Sequence, residues 1–330
     1  MATSPSAPID LAQLHSFHVA LAQSTRVLSL LGAGLSASSG LPTFRGAGGL
    51  WRTHDATSLA TPEAFEANPG LVWQFYSYRR HMALQAQPNA AHYALAELAR
   101  RMPGFLTLSQ NVDGLSQRAN HPPAQLQLLH GTLFAVRCMD RELCRYGPEP
   151  NFVDPIVPAL AIPTSGADPT ANTTRHSAAT TDHNHQPAQD LDISNISVPL
   201  DSLSPSDLPT CPKCTHALLR PNVVWFGESL PWTVLETVDT YIAQPPPIDL
   251  ILVLGTSAKV FPAAGYIAEA RAKGARVCVV NTDVNDAPPG GWQEGDWFFR
   301  GDAAVLVPML LEPVIGRVVV PDVAPHTPVV

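Results

Sequence analysis

The chain has 330 residues, 45% of them hydrophobic, with Lys+Arg 20 against Asp+Glu 28 and a formal net charge of −8. That is apolar material for one large domain or a large and a small one. The acidic balance argues against specific nucleic-acid binding, which wants a basic face. No apolar run approaches the ~18 residues of a membrane span, so no membrane partner is expected. The start, MATSPSAPIDLAQLHSF with its first arginine at Arg26, has neither a secretory core nor an Arg-rich transit character, which predicts an intracellular chain.

Leu11, Leu14, Phe17 and Leu21 recur at helical spacing and predict an amphipathic helix ahead of the first strand. Val27–Leu31 is an apolar run that ends at Gly32-Ala33-Gly34, the pattern of a buried strand closed by glycine. Gly32, Gly34 and Ala37 fit the G-x-G-x-x-G/A dinucleotide fingerprint, in which small residues let backbone N–H groups approach a pyrophosphate. Phe44 and Arg45 then lie in a glycine-rich segment able to close over a ligand. Thr61-Pro62 reads as a helix cap with proline in the first turn. Pro69-Gly70 should break that helix, with a second over 71–84 and a third, capped by Asn89, over Ala90–Arg101.

Four further apolar runs end in polar tips: 105–109 before Gln110-Asn111-Val112-Asp113-Gly114, 126–129 before His130-Gly131, 249–254 before Gly255-Thr256-Ser257, and 276–280 before Asn281-Thr282-Asp283. Helical stretches are expected at 33–40, 113–119, 262–273 and 302–314. Apolar strands alternating with helices imply a doubly wound, Rossmann-like parallel sheet, an α/β fold. Ligands bind such sheets beyond the carboxyl ends of the strands, where all five polar tips fall.

Between 134 and 222 the pattern changes. Cys211-Pro-Lys-Cys214 is a CxxC knuckle with Cys138 and Cys144 upstream, and four thiolates suit a tetrahedral zinc with no open position, hence structural. The alternative is four unrelated buried thiols. Cys278, on an apolar run, is expected in the core. The run 164–209, rich in Thr, Ser, Asn, Asp, His and Pro, cannot bury enough surface to fold alone and is expected to be disordered, with His183 and His185 solvated. The expected organisation is an N-terminal extension (1–26), a nucleotide-binding domain (27–133 and 222–315), an inserted small zinc-binding domain (134–221) and a C-terminal tail (316–330).

GAGLSASSGLPTFRG, residues 32–46, resembles the signature of the sirtuins, NAD-dependent protein lysine deacylases, and the resemblance runs from about Val27 to about Pro308. It implies NAD as a consumed cosubstrate, with Gly32, Ala33, Gly34, Ser36, Phe44, Arg45, Gln110, Asn111, Val112, Asp113, Gly255, Thr256, Ser257, Asn281, Thr282, Asp283 and Ala303 around it. His130 would be the general base, Asn111 would hold the ribose, and Arg45 would order the lid and aid nicotinamide departure. The family zinc normally comes from two CxxC pairs, whereas here the first pair is Cys138-x5-Cys144.

Val224, Trp225 and Phe226, in an expected strand at 223–228, match the segment that pairs with the acyl-lysine peptide of a protein substrate. FYSYRR resembles the branch in which a tyrosine and an arginine, here Tyr76 and Arg79, bind the carboxylate of succinyl-, malonyl- or glutaryl-lysine, with Ala60 as the small residue that widens the pocket. Read without the resemblance, Tyr76 and Arg79 are a solvent-facing pair on one helix face. Relatives of this branch are often mitochondrial. Within the family the alternatives are plain deacetylation and ADP-ribosyl transfer. Outside it they are a non-catalytic NAD or acyl-lysine binding protein and a Rossmann dehydrogenase. The dehydrogenase would need a strand-end acid some twenty residues past the glycines. Asp55 has that spacing, but residues 51–57 are not strand-like.

Overall fold

The computed structural model describes residues 9–43, 49–165 and 189–321. In chain order it forms α1 (Leu11–Gln23), β1 (Val27–Leu31), a 3₁₀ helix (Ala33–Ser39), β2 (Leu50–Trp51), β3 (His54–Asp55), α2 (Ala56–Leu59), α3 (Pro62–Ala67), α4 (Pro69–Gln85), α5 (Ala90–Arg101), β4 (Phe105–Ser109), α6 (Leu115–Arg118), β5 (Leu126–Leu128), β6 (Gly131–Cys138) and β7 (Glu149–Pro150). It continues with β8 (Leu219–Val223), α7 (Trp232–Ala243), β9 (Leu250–Leu254), α8 (Gly265–Ala272), β10 (Arg276–Asn281), β11 (Trp297–Arg300) and α9 (Ala303–Ile315).

Six strands form one sheet in the order β11-β10-β9-β1-β4-β5, every pair parallel. Strand order reverses between β1 and β9, which makes that gap the switch point of a doubly wound sheet. Alternate residues of β1 serve opposite faces. Val27 and Leu31 join Phe17 and Leu21 of α1, Leu95 and Leu98 of α5, and Leu306 and Leu310 of α9. Leu28 and Leu30 join Val238 and Ile242 of α7 and Ile267 of α8. Cys278 lies in the first of these cores, fully buried.

A second unit is built on the antiparallel sheet β7-β6-β8, and its core joins Leu133, Phe134 and Leu219 to Trp73, Phe75 and Tyr76 of α4. Two local expectations change here. The expected break falls at Asn68 rather than Pro69-Gly70: α3 ends at Ala67, and Pro69 opens α4 at its first turn, with the Asn68 side chain accepting from Leu71 N–H at 3.0 Å. The strand expected at 223–228 runs instead over Leu219–Val223; only Val223 belongs to it, and Val224 to Glu228 turn away.

The disorder expected across 164–209 also fails for residues 189–209. They form a strap along α4, laid from its C-terminal to its N-terminal end. Asp190 meets His81 at 3.0 Å and Gln85 at 3.1 Å, Asp192 and Ser194 hydrogen-bond Tyr78, and the Asp201 carbonyl accepts from Gln74 at 2.8 Å. Ile193 and Leu208 are buried in the α4 core. The guanidinium of Arg52 donates to the carbonyls of Ile193, Asn195, Val198 and Ile196 at 3.0, 3.1, 3.0 and 3.2 Å. A polar run that cannot fold alone is ordered because neighbouring elements satisfy its backbone. His183 and His185 lie outside the described residues.

Candidate active site

The carboxyl ends of β1, β4, β5, β9 and β10 bring the five polar tips together. Gly32 and Gly34, after β1, lie so close to the turn after β9 that a Cβ would fall 2.5 Å from Thr256 Cβ in the first case and 2.8 Å from the Gly255 carbonyl oxygen in the second. Gly255 itself has φ +61, and its Cβ would meet Leu35 N at 2.4 Å. Three glycines are therefore required by close backbone approach, and the 3₁₀ helix begins directly at this contact.

The 510 Å³ cleft beside it, its open mouth included, is lined by Ala33 and Ser36 from the glycine loop, Tyr78, Arg79 and Met82 from α4, and Gln110 to Asp113 after β4. Its polar floor is one hydrogen-bonded unit. Ser36 Oγ donates to Asp113 Oδ2 at 2.7 Å, and Asn111 Nδ2 donates to the Gly32 carbonyl at 3.0 Å and to Ser36 Oγ at 3.3 Å. Asp113 also accepts from Leu115 N–H at 2.9 Å while it lines the cleft; the N-cap of α6 is Gly114 rather than Asp113, which precedes it. Gln110 reaches Thr256 Oγ1 at 3.2 Å, tying the β4 tip to the β9 tip.

His130 follows β5. Its Nδ1 lies 3.0 Å from the Gln110 carbonyl oxygen, which can only accept, so Nδ1 carries the proton and Nε2 keeps a free lone pair. Burial pushes its pKa below the usual histidine value, opposed by that carbonyl bond, so the ring is neutral near pH 7. This is the protonation state of a general base.

On the far side of the sheet gap, Asn281 Nδ2 donates to the Thr256 carbonyl and to Asp286 Oδ2, both at 2.9 Å, and Thr282 N–H donates to Asn281 Oδ1 at 2.8 Å. Asp283 accepts from Asn285 N–H at 2.9 Å, and Ala303 is buried at the start of α9. Phe44 and Arg45 lie outside the described residues.

Tyr76 and Arg79 do not form a solvent-facing pair. Arg79 lines the cleft; Tyr76 is 2% exposed and accepts from Trp225 Nε1 at 2.9 Å. Trp225, expected to face a peptide, is buried, whereas Phe226 is 45% exposed. Three successive residues there touch three site positions: Val224 N–H donates to the His130 carbonyl at 2.9 Å, Trp225 to Tyr76, and Phe226 N–H to the Ala60 carbonyl at 2.9 Å.

His92, absent from the sequence reading, lies beneath the floor with Nε2 3.4 Å from Ser36 Oγ, and burial lowers its pKa to about 4. The capping box it closes with Asn89 was the available signal. Tyr78 and Met82, also missed, sit beside Arg79 at helical spacing.

The sulfurs of Cys138, Cys144, Cys211 and Cys214 all lie within 4.8 Å of one another, with Cys138–Cys214 and Cys144–Cys211 at 3.7 Å. Tetrahedral ligation with Zn–S near ~2.3 Å would place sulfurs about 3.8 Å apart, so the longer Cys138-x5-Cys144 spacing still delivers a matching set. None of the four is in a disulfide. The cluster fits a structural zinc held by four protein ligands.

The Sir2 family description matches residues 32–151 and 170–262. The chain belongs to the Sir2 family. An NAD-dependent protein deacylase of Candida albicans is 44% identical to this Sir2 protein over 308 residues, covering 93% of this chain and 99% of its own. The mitochondrial sirtuin-5 deacylase of Canis lupus familiaris is 36% identical over 305 residues, 90% and 84% of the two chains. Among solved structures, a Sir2 homologue in complex with NAD superposes with TM-score 0.65 at 30% identity, covering 94% of this chain and 96% of that one. NAD is thus the cosubstrate of this Sir2-family chain.

Proposed function

We propose that the protein is an NAD-dependent protein lysine deacylase that removes acidic acyl groups (succinyl, malonyl, glutaryl) from lysine and releases nicotinamide and O-acyl-ADP-ribose. The observation that carries the reading is the placement of the neutral His130 imidazole on the same strand-end face as the Ser36–Asn111–Asp113 floor and Arg79. Relatives that are named deacylases support it.

The nicotinamide ribose sits against Gln110 and Asn111, with its carboxamide toward Asp113 and Val112. The adenosine half runs across Gly255, Thr256 and Ser257 to Asn281, Thr282, Asp283 and Ala303. The acyl-lysine carbonyl oxygen attacks the ribose carbon, the carbon–nitrogen bond to nicotinamide breaks, and the electron pair leaves with nicotinamide. Arg45 and Phe44 act from the glycine-rich segment, the first aiding departure and the second keeping water from the reactive carbon. His130 Nε2 takes a proton from a ribose hydroxyl, which attacks the imidate carbon. Water then frees the lysine.

Arg79 offers a planar fork for the acyl carboxylate and Tyr76 a third donor, with Ala60 leaving room for the longer chain. The peptide backbone lies along Val224 and Phe226. Zinc held by Cys138, Cys144, Cys211 and Cys214 supplies rigidity to the small unit and no step of the reaction. A mitochondrial location, as in the names of the sirtuin-5 relatives, goes with this reading and is checked by fractionation.

The test is release of nicotinamide and acyl-ADP-ribose, read by mass, from NAD and one lysine peptide carrying acetyl, succinyl or malonyl, with His130→Tyr as the blank. Faster turnover of the acidic forms, lost selectively in Arg79→Met, is the expected result. Turnover of acetyl alone would leave plain deacetylation. NAD binding without turnover would leave a non-catalytic binding protein.

A further inference from the structure

Trp225 has no exposed surface with which to meet a substrate, yet it is among the most tightly held side chains in the protein. Its backbone N–H donates to Glu228 Oε2 at 2.8 Å. The guanidinium of Arg220 lies over its ring, 3.2 Å from the centroid, and is itself clamped to Glu228 by bonds of 2.7 and 2.9 Å. Arg137 holds the same carboxylate at 3.3 Å, and the Phe65 ring packs at 5.3 Å. The indole is thus fixed in plane and direction, and its single polar atom, Nε1, is aimed at the Tyr76 hydroxyl 2.9 Å away.

An indole N–H can only donate, whereas a phenol carries one proton and two acceptor positions. The bond therefore fills an acceptor position on Tyr76 and turns the phenol proton away from Trp225. Among the described residues Trp225 is the one hydrogen-bond partner of that oxygen. Arg79, one helical turn on, is the positive charge that acts most strongly on Tyr76. On the acidic-acyl reading, a carboxylate drawn to Arg79 meets a hydroxyl already committed as donor.

We infer that Trp225 is a positioning residue for acyl selectivity: it touches no substrate and sets Tyr76 as a hydrogen-bond donor to an acidic acyl group. The inference rests on the acidic-acyl reading of Tyr76 and Arg79. It also accounts for why an apolar-looking VVWF segment folds as a turn bolted by Glu228, since the turn aims the indole inward.

The test is a double-mutant cycle of Trp225→Phe and Tyr76→Phe, with kcat and KM measured separately on succinyl and acetyl peptides. Removing one hydrogen bond to a buried hydroxyl is expected to lower the succinyl-to-acetyl ratio of kcat/KM about tenfold, carried in KM. Trp225→Phe should add nothing once Tyr76 is Phe. A merely structural role would lower both substrates equally and add fully in the Tyr76→Phe background, and that result overturns the inference.

A wild-type enzyme with no acidic-acyl preference overturns the reading beneath it. A wild-type preference that survives Trp225→Phe overturns the inference alone. Should Trp225→Phe not fold, the indole N–H resonance that moves in Tyr76→Phe carries the test. It must shift on binding succinyl-lysine peptide more than on binding acetyl-lysine peptide, and equal shifts overturn the proposal.

Discussion

Replacing Arg52 with alanine should release the strap from α4 while leaving the parallel sheet intact. Four strap carbonyls accept from this one guanidinium; those of Ile193 and Val198 are half-buried, and those of Asn195 and Ile196 are open to water. Water replaces the donor at the exposed pair at little cost. The half-buried pair loses hydrogen bonds to a charged group, each about 1.5 kcal/mol, so the strap loses about 3 kcal/mol. That corresponds to roughly a 150-fold rise in its local opening.

The assay is hydrogen exchange followed by mass spectrometry over peptides spanning 189–201, with sheet peptides as the internal reference. Exchange should quicken by about two orders of magnitude in the strap alone. Because Arg52 has φ +57, Arg52→Gly should relieve hairpin strain of about 1 kcal/mol that Arg52→Ala retains, yet free the strap equally. Unchanged strap exchange in both variants would refute the account of how this polar run is held.

Gly34→Ala puts a methyl 2.8 Å from the Gly255 carbonyl oxygen and should weaken NAD at least tenfold in a calorimetric titration; full affinity would show that the loop yields. Stability should fall on acidification. His92 and His121 are held near pKa 4, and His130 below its ordinary value, each chiefly by burial. Their folded-state values lie below the unfolded ~6.5, so their contribution is complete above that pH and is lost as pH drops toward 4. His81, raised first by its bond to Asp154, works oppositely, fading as pH rises through its folded value. A melting temperature flat from pH 7 to 4 would contradict this balance. Stripping zinc with a chelator should lower the melting temperature and expose the four thiols to a thiol reagent, and an unchanged melting curve would refute a structural metal.

The parallel sheet was legible because strands buried on both faces read as unbroken apolar runs, and their polar tips marked the ligand end. β11 escaped because Trp297–Arg300 is four residues long and ends in a charge. The VVWF run misled because Val223 closes a strand while Trp225 is buried beneath the turn that follows, which one-dimensional pattern cannot tell from a continuing strand. The glycines, Asn111, Asp113 and His130 could be placed because backbone proximity and strand-end position constrain them. What Tyr76 bonds to could not, since Trp225 is 149 residues away along the chain. Composition predicted disorder for the strap and gave no sign that Arg52 would receive it.

The strap begins at a pinch. Thr164 and Asp190 form an antiparallel bridge, Ser165 N–H donates to the Gln189 carbonyl at 2.7 Å, and Leu191 N–H to the Pro163 carbonyl at 2.8 Å. Ser165 and Gln189 are thereby stapled side by side where the strap begins. Closing a flexible loop across such a pinch costs an entropy that grows by about 0.6 kcal/mol per doubling of its length. The pinch is therefore a port for grafting: a tag, a sensor domain or a docking peptide spliced between Ser165 and Gln189 should leave α4 in register.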